Sequence, residues 1–209
     1  MMTPGLDYTF ENQYPLKRTI KDHGEITIRP IVEADEDHLL AFYRGLPDET
    51  RLRLKQDNTN RAILRRFLEN ISLGTVISLG AFGPDGKTVV AEVTLRVQHH
   101  GWLRHVGEIR YCVTPDWAPT ALPELLLMQI VEIASTQGLD KIVYLVLDDQ
   151  QRLRRLLETL GFKAEAELSD HATDLQGKKH SVIIMSNLIA ELWRQMEDMI
   201  LAQENRSYS

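Results

Sequence analysis

Cysteine is nearly absent from this 209-residue chain: Cys112 stands alone, so no internal disulfide can form. No apolar run reaches the roughly 18 residues that a membrane span needs. The opening residues, MMTPGLDYTFENQYPLKRT, lack the basic start and apolar block of a signal peptide, which leads to the expectation of a cytoplasmic protein. A basic surplus is missing too. With 24 Lys and Arg against 30 Asp and Glu, the net charge is −6 and the pI about 5.7, which argues against a nucleic-acid binder. The local exception, RLRR at 152–155, reads on a helix as a solvated face. There is no internal repeat and no low-complexity segment. What remains is an ordinary globular composition, 43% apolar and 26% charged, on a chain long enough for one good-sized core.

The chain is organised around residues 107–129, GEIRYCVTPDWAPTALPELLLMQ. Alternation predicts a strand over 108–113, Pro115 and Asp116 make a turn, and the spacing of Leu125, Leu126, Met128, Ile130 and Val131 predicts a helix. A strand turning directly into a helix offers free N–H groups and the positive end of the helix dipole to an anion. This turn is poorly furnished for that task. Pro119 and Pro123 have no N–H to donate, and Asp116 and Glu124 flank the turn with no Lys or Arg between them.

Residues 1–24, polar and punctuated by Pro4, Pro15 and Gly24, are expected to form an extended arm on the surface. EITIRPI (25–31) alternates as a first strand; a helix from Ala34 or Asp35 to Gly45 follows, with Leu39, Leu40, Phe42 and Tyr43 inward. Two short helices are expected across 47–71, the second carrying Ile63, Leu64, Phe67 and Leu68. GTVISLGAFG, a tight turn at Asp85 and Gly86, TVVAEVTLRVQ and the strand at 108–113 make an antiparallel meander. KIVYLVL reads as a strand buried on both faces, and DDQQRLRRLLETLGF as a helix with Leu153, Leu156, Leu157 and Leu160 inward. That order requires a parallel crossover. A closing hairpin within 163–188 and an amphipathic helix from Ile189 complete the chain. Leu192, Trp193, Met196, Met199 and Ile200 of that helix pack either on the domain or on a partner subunit, as in a homodimer.

Taken together, ITIRPIVEADEDHLLAFYRGLPDETR, GEIRYCVTPDW and LLETLGFKAEAEL resemble the GNAT superfamily of N-acetyltransferases, and within it the bacterial protein lysine acetyltransferase domains. The resemblance covers residues 25–188, leaving 1–24 as an N-terminal extension and 189–209 as a C-terminal helix and tail. It implies an α/β (α+β) fold: a mixed, mostly antiparallel sheet flanked by helices and splayed near its middle. Acetyl-coenzyme A (acetyl-CoA) would lie in the gap, with direct transfer of its acetyl group to a primary amine, a protein lysine or a small amine. No metal is implied. The family's pyrophosphate loop, Q/R-x-x-G-x-G/A, falls on Ala118, Pro119, Thr120, Ala121, Leu122 and Pro123. Ala118 takes the basic or amide position, and Ala121 and Pro123 the glycine positions. A Cβ or a ring obstructs close approach of backbone to phosphate. Each N–H lost costs about 1.5–3 kcal/mol of phosphate binding, so two weaken affinity roughly a hundredfold or more. Proline in the first turn meanwhile suits the helix itself.

The resemblance places the base that takes the amine's proton at Glu108. Alternation sets Glu108, Arg110 and Cys112 on one face of the strand, where pairing of Glu108 with Arg110 or Arg96 is the competing account. Pantetheine is expected along the strand edge at Cys112, Val113 and on to Pro115. The leaving-group tyrosine of many relatives falls on Leu157, the helix-start asparagine on Gln150, and Arg152 is placed to meet a phosphate from the far side. Cys112 itself reads as a small buried hydrophobe rather than a nucleophile. His99, His100 and His105 read as loop histidines, since their spacing matches no zinc pattern. Two functions follow: an acetyl-CoA-dependent N-acyltransferase with Glu108 as base, or a catalytically silent domain of this fold that binds a protein, dimerises or senses another ligand.

Overall fold

The computed structural model describes residues 13–174, 176–192 and 194. Strands β1 (Leu16–Ile20), β2 (Gly24–Pro30), β3 (Val76–Phe82), β4 (Val89–Arg96), β5 (Val106–Val113), β6 (Lys141–Leu147), β7 (Lys163–Thr173) and β8 (Lys179–Leu188) form one sheet. Their order is β1-β2-β3-β4-β5-β6-β8-β7. Every neighbouring pair is antiparallel except β5 and β6, which the predicted crossover makes parallel. Helices α1 (Glu36–Gly45), α2 (Asp48–Leu52) and α3 (Arg61–Ser72) come before the meander, α4 (Leu122–Thr136) spans the crossover, and α5 (Gln151–Thr159) follows β6. Among the described residues no helix is long and apolar enough to cross a membrane.

Alternation along the strands divides the interior into two apolar clusters, one on each face of the sheet. Ile77, Leu79, Val93, Leu95 and Ile109 pack with Leu126, Leu127 and Ile130 of α4. Val76, Phe82 and Val89 pack with Leu39 and Phe42 of α1 and with Leu64 and Phe67 of α3. The second cluster also explains the Arg-Pro-Ile word. Arg29 forks onto both oxygens of Asp35 at 2.7 Å and stacks over Phe82 at 3.9 Å, so strand β2 is tied to the turn that starts α1.

Two expectations are corrected, and one alternative is answered in part. Part of the expected surface arm is an edge strand: β1 pairs with β2 from Leu16↔Ile28 to Ile20↔Gly24, and Ile20 is buried. LKRTI has too few apolar residues to signal this, and the hairpin rests on Asp22 and Gly24 at positive φ. Residues 1–12 of that arm lie outside the described residues. The strands buried along nearly their whole length are β3 and β4, whereas β6 alternates, with Ile142, Tyr144 and Val146 buried and their neighbours half-buried. The reason is that β6 borders an opening in the sheet. At the C-terminal end, Ile189 and Leu192 join the main core; Trp193, Met196, Met199 and Ile200 lie outside the described residues.

Candidate functional site

Strands β5 and β6 pair only at Val106↔Lys141, Gly107↔Ile142 and Glu108↔Val143. Gly107 permits that close packing, since a Cβ there would lie 2.6 Å from Leu95 Cδ1 and 2.8 Å from Leu139 Cδ1. Past Glu108 the strands part. The gap opens into a cleft of about 720 Å³ that runs from the segment between α2 and α3, across β4 and β5, to the start of α4 and the face of α5. One side chain bridges the gap. The Tyr144 hydroxyl accepts from the Tyr111 N–H at 3.2 Å and lies 3.4 Å from the Tyr111 carbonyl. Thr114 N–H bonds back to Val90 on β4, so by strand alternation Tyr111 and Val113 turn their backbone groups toward the gap, and Cys112 turns its own toward β4.

One face of β4 and β5 carries a polar stripe, in the register Glu92↔Cys112, Thr94↔Arg110 and Arg96↔Glu108. The predicted grouping of Glu108, Arg110 and Cys112 on one face is therefore present, and it holds two carboxylates in contrasting settings. Glu92 is buried, and its two oxygens accept from Tyr43 and, at 2.7 Å, from Ser78. Burial pushes its carboxyl above the ordinary range against those two hydrogen bonds. Glu108 is part-exposed. Burial raises its carboxyl, but the Lys55 ammonium and the Arg110 guanidinium together outweigh burial and hold it below the ordinary glutamate value. Both cations bond the same oxygen, Lys55 Nζ at 2.7 Å and Arg110 Nε at 2.9 Å to Oε1, and among the described residues Oε2 has no partner. Both oxygens of Glu92 are thus engaged inside the protein, whereas Glu108 lines the cleft with one oxygen engaged.

At the far side the turn into α4 bonds to itself. Trp117 N–H and Ala118 N–H donate to the Thr114 carbonyl, and Thr120 N–H donates to that of Trp117. Leu122 N–H is capped by the Thr120 hydroxyl at 3.1 Å, a substitute for the cap that Ala121 cannot supply. Pro119 and Pro123 contribute no donor. Among the described residues, the N–H groups left at the helix start are those of Ala121 and Glu124. Arg152 reaches this turn, donating to the Ala118 carbonyl at 2.7 Å. Gln150 accepts from the Leu147 N–H at 3.0 Å, so its amide oxygen closes the end of β6.

The leaving-group position counted to Leu157 is corrected. Leu157 is wholly buried in the core, and the α5 residues that line the cleft are Gln151, Arg152, Leu153 and Leu156. Cys112 packs beside the α1 and α3 cluster, and burial together with the Glu92 carboxylate pushes its thiol far above the thiolate range. Among His99, His100 and His105, His99 bonds the Gly74 carbonyl at 2.9 Å. The one close group of metal-type ligands among the described residues is Asp148, Asp149 and His180. Both ring nitrogens of His180 are already engaged, with Asp148 at 3.1 Å and Asp174 at 3.3 Å. Sequence reasoning missed Glu92, Tyr43, Lys55 and Tyr144. An acidic residue inside the apolar run VVAEVTLRV was a usable signal for Glu92; nothing local marked the other three.

No protein-family model matches the chain, and no curated protein matches it in sequence. Solved structures do match. A GNAT-family acetyltransferase of Streptococcus pneumoniae superposes with a TM-score of 0.67 at 24% identity, over 78% of this chain and 99% of that one. The GNAT domain of S. lividans PAT gives 0.66 at 17% identity, over 83% and 96%. The yncA protein of Salmonella typhimurium, solved with its cofactor acetyl-CoA, gives 0.65 at 18%, over 78% and 94%. The fold is the GNAT acetyltransferase fold.

Proposed function

We propose that this protein is an acetyl-CoA-dependent N-acyltransferase acting on a primary amine, with Glu108 as its base. The observation that carries the reading is Glu108 in the cleft where β5 and β6 part, with Oε2 unpartnered among the described residues. The chain fits the co-substrate unevenly. The gap-facing backbone of Tyr111 and Val113 offers a strand edge to the pantetheine amides, and Arg152 with the N–H groups of Ala121 and Glu124 would meet the diphosphate. The self-bonded turn makes that grip weaker than a glycine cradle would. When bound, acetyl-CoA supplies a thioester carbonyl carbon. The acceptor nitrogen bonds to that carbon as the C–S bond breaks; one amine proton leaves with the thiol and the other goes to Glu108, directly or through one water. Lys55 and Arg110 hold Glu108 ionised, ready to accept that proton.

Calorimetry against acetyl-CoA, followed by thiol release with a panel of primary amines, tests this. Micromolar to submillimolar binding with turnover is expected, and no binding at millimolar ligand would refute it. Glu108→Gln is expected to lower the rate about a hundredfold, the size of one general base, with the loss greatest at the acid end of the pH range where neutral amine is scarcest. A pH profile parallel to that of the unaltered protein would remove Glu108 from the chemistry. A second reading, a silent domain that binds another ligand or a protein, is favoured by the self-bonded turn at α4, and the same calorimetry separates the two.

A further inference from the structure

The amine nearest to the proposed base belongs to the protein itself. Lys55 stands in the segment between α2 and α3, lines the cleft, and holds its Nζ 2.7 Å from Glu108 Oε1, across 53 residues of sequence. It is thus a primary ammonium on a flexible four-carbon stem, at the carboxylate that an acceptor amine must reach. The neighbouring cations are occupied differently. Arg53 bonds Asp149 and Glu49, Arg110 bonds Glu108 through Nε, and a guanidinium is no acyl acceptor at neutral pH because it stays protonated. Lys55 alone among the lysines lines the cleft. Its side chain is 47% exposed, so it is held loosely enough to swing between Glu108 and the gap.

From this juxtaposition we infer that Lys55 is a self-acylation site: the protein transfers the acyl group of an acyl thioester bound in the cleft to Lys55 Nζ. The inference rests on the acyltransferase reading above. In the step, Nζ bonds to the thioester carbonyl carbon and the C–S bond breaks. One proton of the ammonium passes to Glu108 and on to water, and a second leaves on the thiol. The product is a neutral amide, which withdraws one of the two cations from Glu108 Oε1.

The test incubates the full chain with acetyl-CoA and follows acetyl occupancy at each lysine by peptide mass mapping. Lys17 and Lys163 are internal controls, since their side chains are more exposed, at 65% and 75%, and each also faces a glutamate. Uncatalysed acetylation therefore favours the controls. Acetylation of Lys55 at least about tenfold faster than either, at a rate independent of protein concentration, is expected for an amine held at the site. Glu108→Gln is expected to bring Lys55 down to the control rate, while Lys55→Arg abolishes the modification and leaves the fold's melting temperature in place. Lys55 reacting no faster than Lys17 and Lys163, or at a rate proportional to protein concentration, overturns the inference. If added amines are acetylated while Lys55 stays unmodified, the inference falls alone; if acetyl-CoA does not bind at all, the acyltransferase reading falls with it.

Discussion

Tyr144→Phe tests whether the cleft is partly filled by its own wall. The Tyr144 hydroxyl engages the Tyr111 N–H at 3.2 Å and the Tyr111 carbonyl at 3.4 Å, on the edge of β5 where a pantetheine amide would bond. The ring is only 5% exposed, and phenylalanine preserves it. Both contacts are long, so together they contribute about 0.5–1.5 kcal/mol rather than the sum of two good bonds. Deleting the hydroxyl hands that edge to the ligand, and the Kd for acetyl-CoA is expected to fall about 2- to 13-fold. The unliganded protein loses about the same free energy, and its Tm is expected to drop by roughly 2–4 °C per kcal/mol. Calorimetry and thermal melting on one variant read both quantities. The opposite signs are diagnostic, because general loosening of the sheet would weaken binding and stability together. A Kd unchanged or raised beside a lowered Tm would refute the account.

At the turn, Pro119→Gly combined with Pro123→Gly restores two N–H donors and is expected to tighten acetyl-CoA binding, while raising the conformational cost of folding; isothermal titration showing no gain would mean the missing donors do not limit affinity. Gly107→Ala drives a Cβ against Leu95 and Leu139, and about 1–3 kcal/mol of stability should be lost in denaturant titration. His180, with its side chain 3% exposed, sits between Asp148 and Asp174 with Asp149 beyond. Hydrogen bonds to Asp174 and Asp148, helped by the charge of Asp149, raise it above the ordinary 6.5 against burial and the charge of Lys178. Its contribution is thus full below pH 6.5 and is lost as pH rises through the higher folded-state value. Melting across that window should show stability falling as pH rises, and His180→Asn should flatten the slope.

The parts of the fold that were legible are those written in near neighbours. Alternation in EIRYCV placed Glu108, Arg110 and Cys112 on one face, and the register with β4 bears this out. The helix after Pro123 was legible because proline fits a first helical turn and Leu126, Ile130 and Ala134 return on one side. LKRTI was missed because an edge strand with one buried residue carries almost no period. KIVYLVL misled because a strand beside a splay has apolar side chains facing a cleft as well as a core, and composition does not separate the two.

Local chemistry thus determined that residues 107–129 would be a strand, a proline-bearing turn and a helix, and that the turn would offer few donors, since N–H count and strand alternation are properties of the residues themselves. Which carboxylate is available was decided only by the tertiary structure. Tyr43, 49 residues from Glu92, occupies one oxygen of that carboxylate; Lys55, 53 residues from Glu108, occupies an oxygen of the other, whose companion is open among the described residues. Reactivity here depends on which groups remain unbonded after folding, and that is settled by contacts between segments whose separation in the chain carries no periodic signal.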